Sequence, residues 1–237
     1  MENVVLSRGL LIVLGALLSI AIAIGARAAG ALTRDGAAAA VVIGTAVFGF
    51  GGWRPALLLV AFFITSSLLT RWQRGRKSHP EHTRGRSASQ VLANGAVATI
   101  LSMGAALSPE GWIVSAFVGA VAASTADTWA TEVGMLSPAP PRLITTWRSV
   151  SPGSSGGVTL LGTVAGTAGA LMIAALGSAA LQTPVIAVWV AGVTAMVVDS
   201  LIGATAEGRS RFVTNDVVNV AATMAGATVA AFLHLRL

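Results

Sequence analysis

Apolar runs follow one another along almost the whole chain, at residues 6–26, 37–51, 55–69, 91–107, 112–126, 158–181, 184–206 and 217–235. In lipid a backbone must satisfy its own hydrogen bonds, and a helix does this within one segment. The fold class is therefore all-α: a polytopic integral membrane protein of about eight transmembrane helices, with seven as the alternative. A full span takes about 20 apolar residues, and the second and third runs are shorter. They form either a tight hairpin or spans extended by polar ends buried in protein. The first run is long and lacks a small-residue cleavage site, so it reads as an anchor rather than a cleaved signal peptide. Residues 1–237 read as a single transmembrane domain with a basic cytoplasmic loop at about 70–89.

Composition agrees. The chain is 54% hydrophobic and only 10% charged, with mean hydropathy +0.79. Its 27 glycines suit close helix packing where lipid supplies no hydrophobic drive for association. With no cysteine, disulfides and thiolate metal sites are excluded. The histidines, His79, His82 and His234, are too scattered for a structural zinc site. The high pI, about 11.6, does not signal nucleic acid, because the basic residues fall between spans, where they set topology. With the loop at 71–89 in the cytoplasm, that side carries Arg71, Arg74, Arg76, Lys77, Arg84, Arg86, Arg27, Arg34, Arg142, Arg148, Arg209 and Arg211. Only Arg8, Arg54 and Arg236 remain opposite. This bias predicts a multi-pass cell-membrane protein with both termini outside and an active site facing the cytoplasm.

The polar motifs gather on that same side. Asp127 and Glu132 end one apolar run, and Asp199 with Ser200 ends another. Ionisable groups inside a membrane are costly and mark function by default. Asp127 and Glu132 are five residues apart, somewhat off one helix face, and an unwound turn would let them converge. They either join a Mg²⁺–nucleotide site, since Mg²⁺ takes one or two carboxylates plus substrate phosphates, or pair with an arginine for packing. Asp199 offers the same choice against helix–helix hydrogen bonding. The loop Ser151-Pro152-Gly153-Ser154-Ser155-Gly156-Gly157 enters the sixth run. Such a loop before a helix presents free N–H groups and a positive dipole end to phosphate, although Gly and Ser also make ordinary turns. It lacks the Gly-Lys-Ser/Thr of a Walker A loop.

Arg142 and Arg86 can bind phosphate through the guanidinium fork or serve only topology; Lys77 and Arg84 face the same alternatives. Gln90 and Asn94 are four apart and share a helix face; they either orient a substrate or join helices. Thr33-Arg34-Asp35-Gly36 reads as a helix cap or as part of a site. His79 and His82 read as solvated. The six tryptophans fit interfacial anchoring, Trp129 between the acids excepted. The external loops are short and bland, which favours an enzyme fed from one face over a transporter with a midplane site.

Taken in order, Leu32-Thr33-Arg34-Asp35-Gly36, Phe62-Phe63-Ile64-Thr65-Ser66-Ser67 with Thr70-Arg71, Gly85-Arg86 through Gln90 to Gly95, and Ala126-Asp127-Thr128-Trp129-Ala130-Thr131-Glu132-Val133-Gly134 resemble the phytyl-phosphate kinase family of the plant vitamin E pathway. Pro141-Arg142-Leu143-Ile144-Thr145-Thr146, Gly153 through Thr159, Asp199 through Thr205, and Asn215-Asp216-Val217-Val218-Asn219 continue the resemblance, which runs from about Gly30 to Gly226. Glu207 departs from it, standing where many members carry Gln, and is not counted with the site. The short pattern Asp127-x-x-Ala130-x-x-x-Gly134 is similar to one in dolichol kinases and membrane cytidylyltransferases.

The resemblance implies a membrane-embedded kinase of the tocopherol pathway type. It would transfer a phosphoryl group from CTP, or another nucleoside triphosphate, to phytyl or a related isoprenyl monophosphate. The implied catalytic residues are Asp127, Asp199, Arg142 and Arg86. Asp127, Glu132 and Asp199 would hold Mg²⁺. Ser154, Ser155, Gly156, Gly157, Thr128, Asn94 and Gln90 would bind nucleotide or substrate. The expected partners are the isoprenyl monophosphate, the nucleotide and the lipid bilayer, without nucleic acid; a homo-oligomer is left open. A CTP-dependent lipid cytidylyltransferase and a lipid or anion transporter are the alternatives.

Overall fold

In the computed structural model, which describes residues 7–72, 75, 85–207 and 212–237, the chain winds around one helix. This is α5, Gly111–Gly134, whose residues Ser115 to Ala126 are buried without a break. It is wrapped by α3 (Trp53–Arg71), α4 (Ala88–Leu107), α6 (Leu160–Leu181), α7 (Val185–Thr205) and α8 (Asn215–His234). A membrane helix apolar on every face and rich in Ala, Gly and Ser can sit there because its neighbours approach almost to its backbone. A Cβ built on Gly119 would stand 2.6 Å from the carbonyl oxygen of Gly226 in α8. Phe117, Val118, Leu58, Ile173 and Val188 fill the wider gaps.

The remaining helices, α1 (Arg8–Ala28) and α2 (Arg34–Ala46), pack together at the side. Among the described residues, seven helices are long and apolar enough to cross a membrane; α2, at 13 residues, is the exception. It runs into a five-residue π-helical segment, Val47–Gly51, that ends at Gly52. The described residues thus hold eight α-helices, seven of them of spanning length, which fits the expected count of about eight or seven. Among the described residues, the strands are a pair of two-residue segments, β1 (Arg142–Leu143) and β2 (Gly157–Val158), antiparallel with Arg142 opposite Val158.

Most of the basic loop lies outside the described residues. So do Arg74, Arg76, Lys77, His79, His82, Arg84, Arg209 and Arg211.

Candidate functional site

One end of the bundle holds a cavity of about 480 Å³. Its wall comes from the last turns of α3, α5 and α7, the first turns of α4, α6 and α8, and the loop between α5 and α6. Every site residue expected from the sequence lines it except Arg142.

The acids come from two helices. Asp127 on α5 and Asp199 on α7 bring their carboxyl groups within hydrogen-bonding reach of each other. Two carboxylates this close repel unless a proton or a cation lies between them. Asp199 Oδ2 is buried and receives no hydrogen bond from the described residues. No group of three His, Cys, Asp or Glu residues stands ready for a metal among the described residues. The donor set therefore fits a hard cation that completes its shell with substrate phosphate, as Mg²⁺ does. It does not fit a caged ion.

No unwound turn brings Asp127 and Glu132 together: α5 stays helical to Gly134. Five residues on a regular helix place the two side chains about 140° apart. Glu132 is 3% exposed and accepts a 2.6 Å hydrogen bond from the Thr70 hydroxyl of α3. It thus ties α3 to α5 at the cavity wall.

Arg86 faces Glu132 and Asp127. Burial lowers its pKa below the ordinary arginine value, and the charges of Glu132 and then Asp127 oppose that shift. Its guanidinium carbon lies 5.3 Å from the Phe62 ring centroid, within cation–π range. The motif around Thr33 holds this arginine in place. Leu32 and Arg86 form an isolated parallel bridge. Thr33 N–H donates to Arg86 O at 3.1 Å, and Arg86 N–H donates to Ala31 O at 2.9 Å. The Thr33 hydroxyl caps α2 through Gly36 N–H and also contacts Arg86 O. Asp35 Oδ2 accepts from Ala88 N–H at 2.9 Å, the first residue of α4. The cap and the site reading of Thr33 to Gly36 are one structure: a cap whose second role is to fix Arg86.

Gln90 closes a capping box with Ser87. Asn94 donates from Nδ2 to Gln90 O, which leaves its buried Oδ1 without a donor among the described residues. A buried amide oxygen in that state is open to a ligand. The Gly-rich loop does not run straight into α6 as expected. Strand β2 and the N-cap Thr159, which accepts from Gly162 N–H, intervene. The loop packs on α7 instead, where a Cβ on Gly156 would lie 2.5 Å from Ala204. The N–H groups of Ser154 and Gly157 are spent within the loop's own turns. Those of Ser155 and Gly156 have no backbone acceptor among the described residues.

Arg142 is exposed, donates from Nη1 to Trp147 O at 3.0 Å, and is not among the residues that line the cavity. Its local sequence carried no sign of that partner. Conversely, Trp147, Glu207, Asn215 and Asn219 line the cavity without having been assigned to the site. Asn215 and Asn219, four apart at the start of α8, share a face, and that spacing was the available signal.

The integral membrane protein family DUF92 matches residues 17–227. The chain is 31% identical over 209 residues to the membrane protein MJ0933 of Methanocaldococcus jannaschii, covering 87% of each chain. It is 30% identical to the chloroplastic protein VTE6 of Arabidopsis thaliana, covering 86% of this chain and 65% of VTE6. Protein PGR of the same plant is 38% identical over 136 residues, 49% of this chain and 47% of PGR. No solved structure matches.

Proposed function

The chain belongs to the integral membrane protein family DUF92, and we propose that within it this protein is a prenyl-phosphate kinase. It would move the terminal phosphoryl group of CTP, or another nucleoside triphosphate, onto the phosphate of phytyl or a related isoprenyl monophosphate. A new P–O–P bond forms to an acceptor oxygen, the bond to the leaving nucleoside diphosphate breaks, and the product is the prenyl diphosphate. The resemblance of the motifs to the phytyl-phosphate kinase family and the likeness to VTE6 support this reading. The observation that carries it is the Asp127–Asp199 pair, with a buried undonated oxygen, in a cavity at one end of the bundle.

Asp127 and Asp199 would hold Mg²⁺, which neutralises nucleotide phosphate charge. Phosphoryl transfer asks mainly for positioning and electrostatics. In this scheme the N–H groups of Ser155 and Gly156 donate to phosphate oxygens. Arg86, half-buried and locked by its backbone, stabilises charge on the transferring group. Asn94 and Gln90 orient the acceptor phosphate through their free amide N–H groups; that phosphate is already ionised near neutral pH and needs no general base. Glu132 keeps the wall in register through Thr70. The positive-inside bias supports a cavity at the cytoplasmic surface, where the acceptor's head would sit with its tail in the bilayer.

The test uses detergent-solubilised protein with Mg²⁺, CTP or ATP labelled in the terminal phosphate, and phytyl or geranylgeranyl monophosphate. Label in the prenyl diphosphate together with nucleoside diphosphate establishes the kinase. Release of labelled pyrophosphate makes it a cytidylyltransferase, and no turnover with any acceptor returns the transporter reading.

A further inference from the structure

The loop between β1 and β2 carries one residue that breaks its pattern. Around it stand Thr145, Thr146, Arg148, Ser149 and Ser151, all exposed and polar. Trp147 is 63% exposed, the sole exposed large apolar side chain between Trp112 and Leu160. Its φ is +55°, a left-handed conformation that a bulky side chain rarely adopts. The loop enforces it from both sides. Trp147 N–H donates to Leu143 O at 2.8 Å, and Arg142 Nη1 donates to Trp147 O at 3.0 Å. Backbone held in a sparse conformation and presenting an exposed indole points to a function.

Position says which function. Trp147 lines the same cavity as Asp127, Asp199 and the Ser154–Gly157 segment. Its loop is stitched to that segment by Ile144 N–H, which donates to Gly156 O at 3.0 Å. The tryptophan pattern alone fits interfacial anchoring, but the exposed neighbours of Trp147 are threonine, serine and arginine, with no second exposed large apolar side chain beside it.

We propose that Trp147 is the stacking platform for the base of the nucleotide, with Arg142 as the positioning residue that sets its backbone. The inference rests on the nucleotide reading above and adds the subsite for the nucleobase. A flat π-face beside a phosphate cradle recognises a base without hydrogen bonds, and such a stack strengthens binding on the order of tenfold or more.

The experiment compares binding of MgCTP with binding of magnesium tripolyphosphate, which has no base, by calorimetry in nanodiscs. Wild type is expected to bind MgCTP more tightly. Trp147→Gly, which suits the positive φ, loses roughly tenfold in MgCTP affinity and keeps its tripolyphosphate affinity. Trp147→Phe retains most of the preference. Arg142→Ala weakens MgCTP selectively, while Arg142→Lys restores part of it. An unchanged MgCTP preference in Trp147→Gly overturns the proposal while leaving the kinase reading intact. Equal loss for both compounds makes Trp147 merely structural and overturns it too. Quenching by brominated lipid that disappears in Trp147→Phe makes the indole an interfacial anchor instead. Failure of wild type to bind either compound removes the kinase reading and the base subsite together.

Discussion

Gly36 leaves no room for a Cβ against the carbonyl oxygen of Arg86. The two residues belong to different helical hairpins and meet where Thr33 caps α2 and grips the Arg86 backbone. A side chain at position 36 therefore acts on the arginine without touching substrate. Gly36→Ala is predicted to lower kcat by roughly tenfold or more, since misplacing a charge-stabilising group by about 1 Å costs on that order. The protein should remain folded, as judged by a monodisperse elution profile in detergent. Thr33→Ser, which keeps the hydroxyl, should turn over nearly as wild type does.

Asp35 secures the same junction from the α4 side. The Thr33 hydroxyl and then Ala88 N–H hold its carboxyl below the ordinary value of 3.8. A carboxylate with a depressed folded-state pKa contributes stability that is complete above its unfolded pKa and is lost as pH falls through the folded value. The thermal midpoint should thus fall on acidification below about pH 4. Asp35→Asn should show a shallower fall over that interval; an unchanged pH profile would remove Asp35 from this role.

These junctions show what a sequence can and cannot disclose. The acids were legible because an ionisable group in an apolar run has few bland explanations, and the spans were legible from their hydropathy. Thr33 to Gly36 read equally well as a cap or as part of a site, because its second partner, Arg86, lies 53 residues away. Arg142 carried the right chemistry for phosphate, but its direction is decided by the turn that presents Trp147 O. Asp127 and Glu132 suggested an unwound helix because only one helix was in view. The partner that Asp127 meets is supplied by α7, and Glu132 is satisfied by α3.

The loop at Gly156 should be as sensitive as the Gly36 junction, for two reasons at once. Its φ is +73°, and a Cβ there would press on Ala204. Gly156→Ala is predicted to raise KM for the nucleotide roughly tenfold, with KM for the prenyl monophosphate changed far less, if this loop cradles the donor phosphates. Steady-state kinetics varying each substrate in turn decides the matter. A rise confined to the acceptor would move the loop to the other side of the reaction.

The most direct test of the paired-acid site is transfer of the terminal phosphate from labelled nucleotide to prenyl monophosphate by Asp127→Asn and Asp199→Asn, with Mn²⁺ binding followed in parallel by electron paramagnetic resonance. Each variant should keep the elution profile and thermal midpoint of a folded protein, lose turnover by about a thousandfold or more, and lose bound Mn²⁺ in the presence of nucleotide. Turnover and Mn²⁺ binding retained by either folded variant would contradict the assignment of that carboxylate.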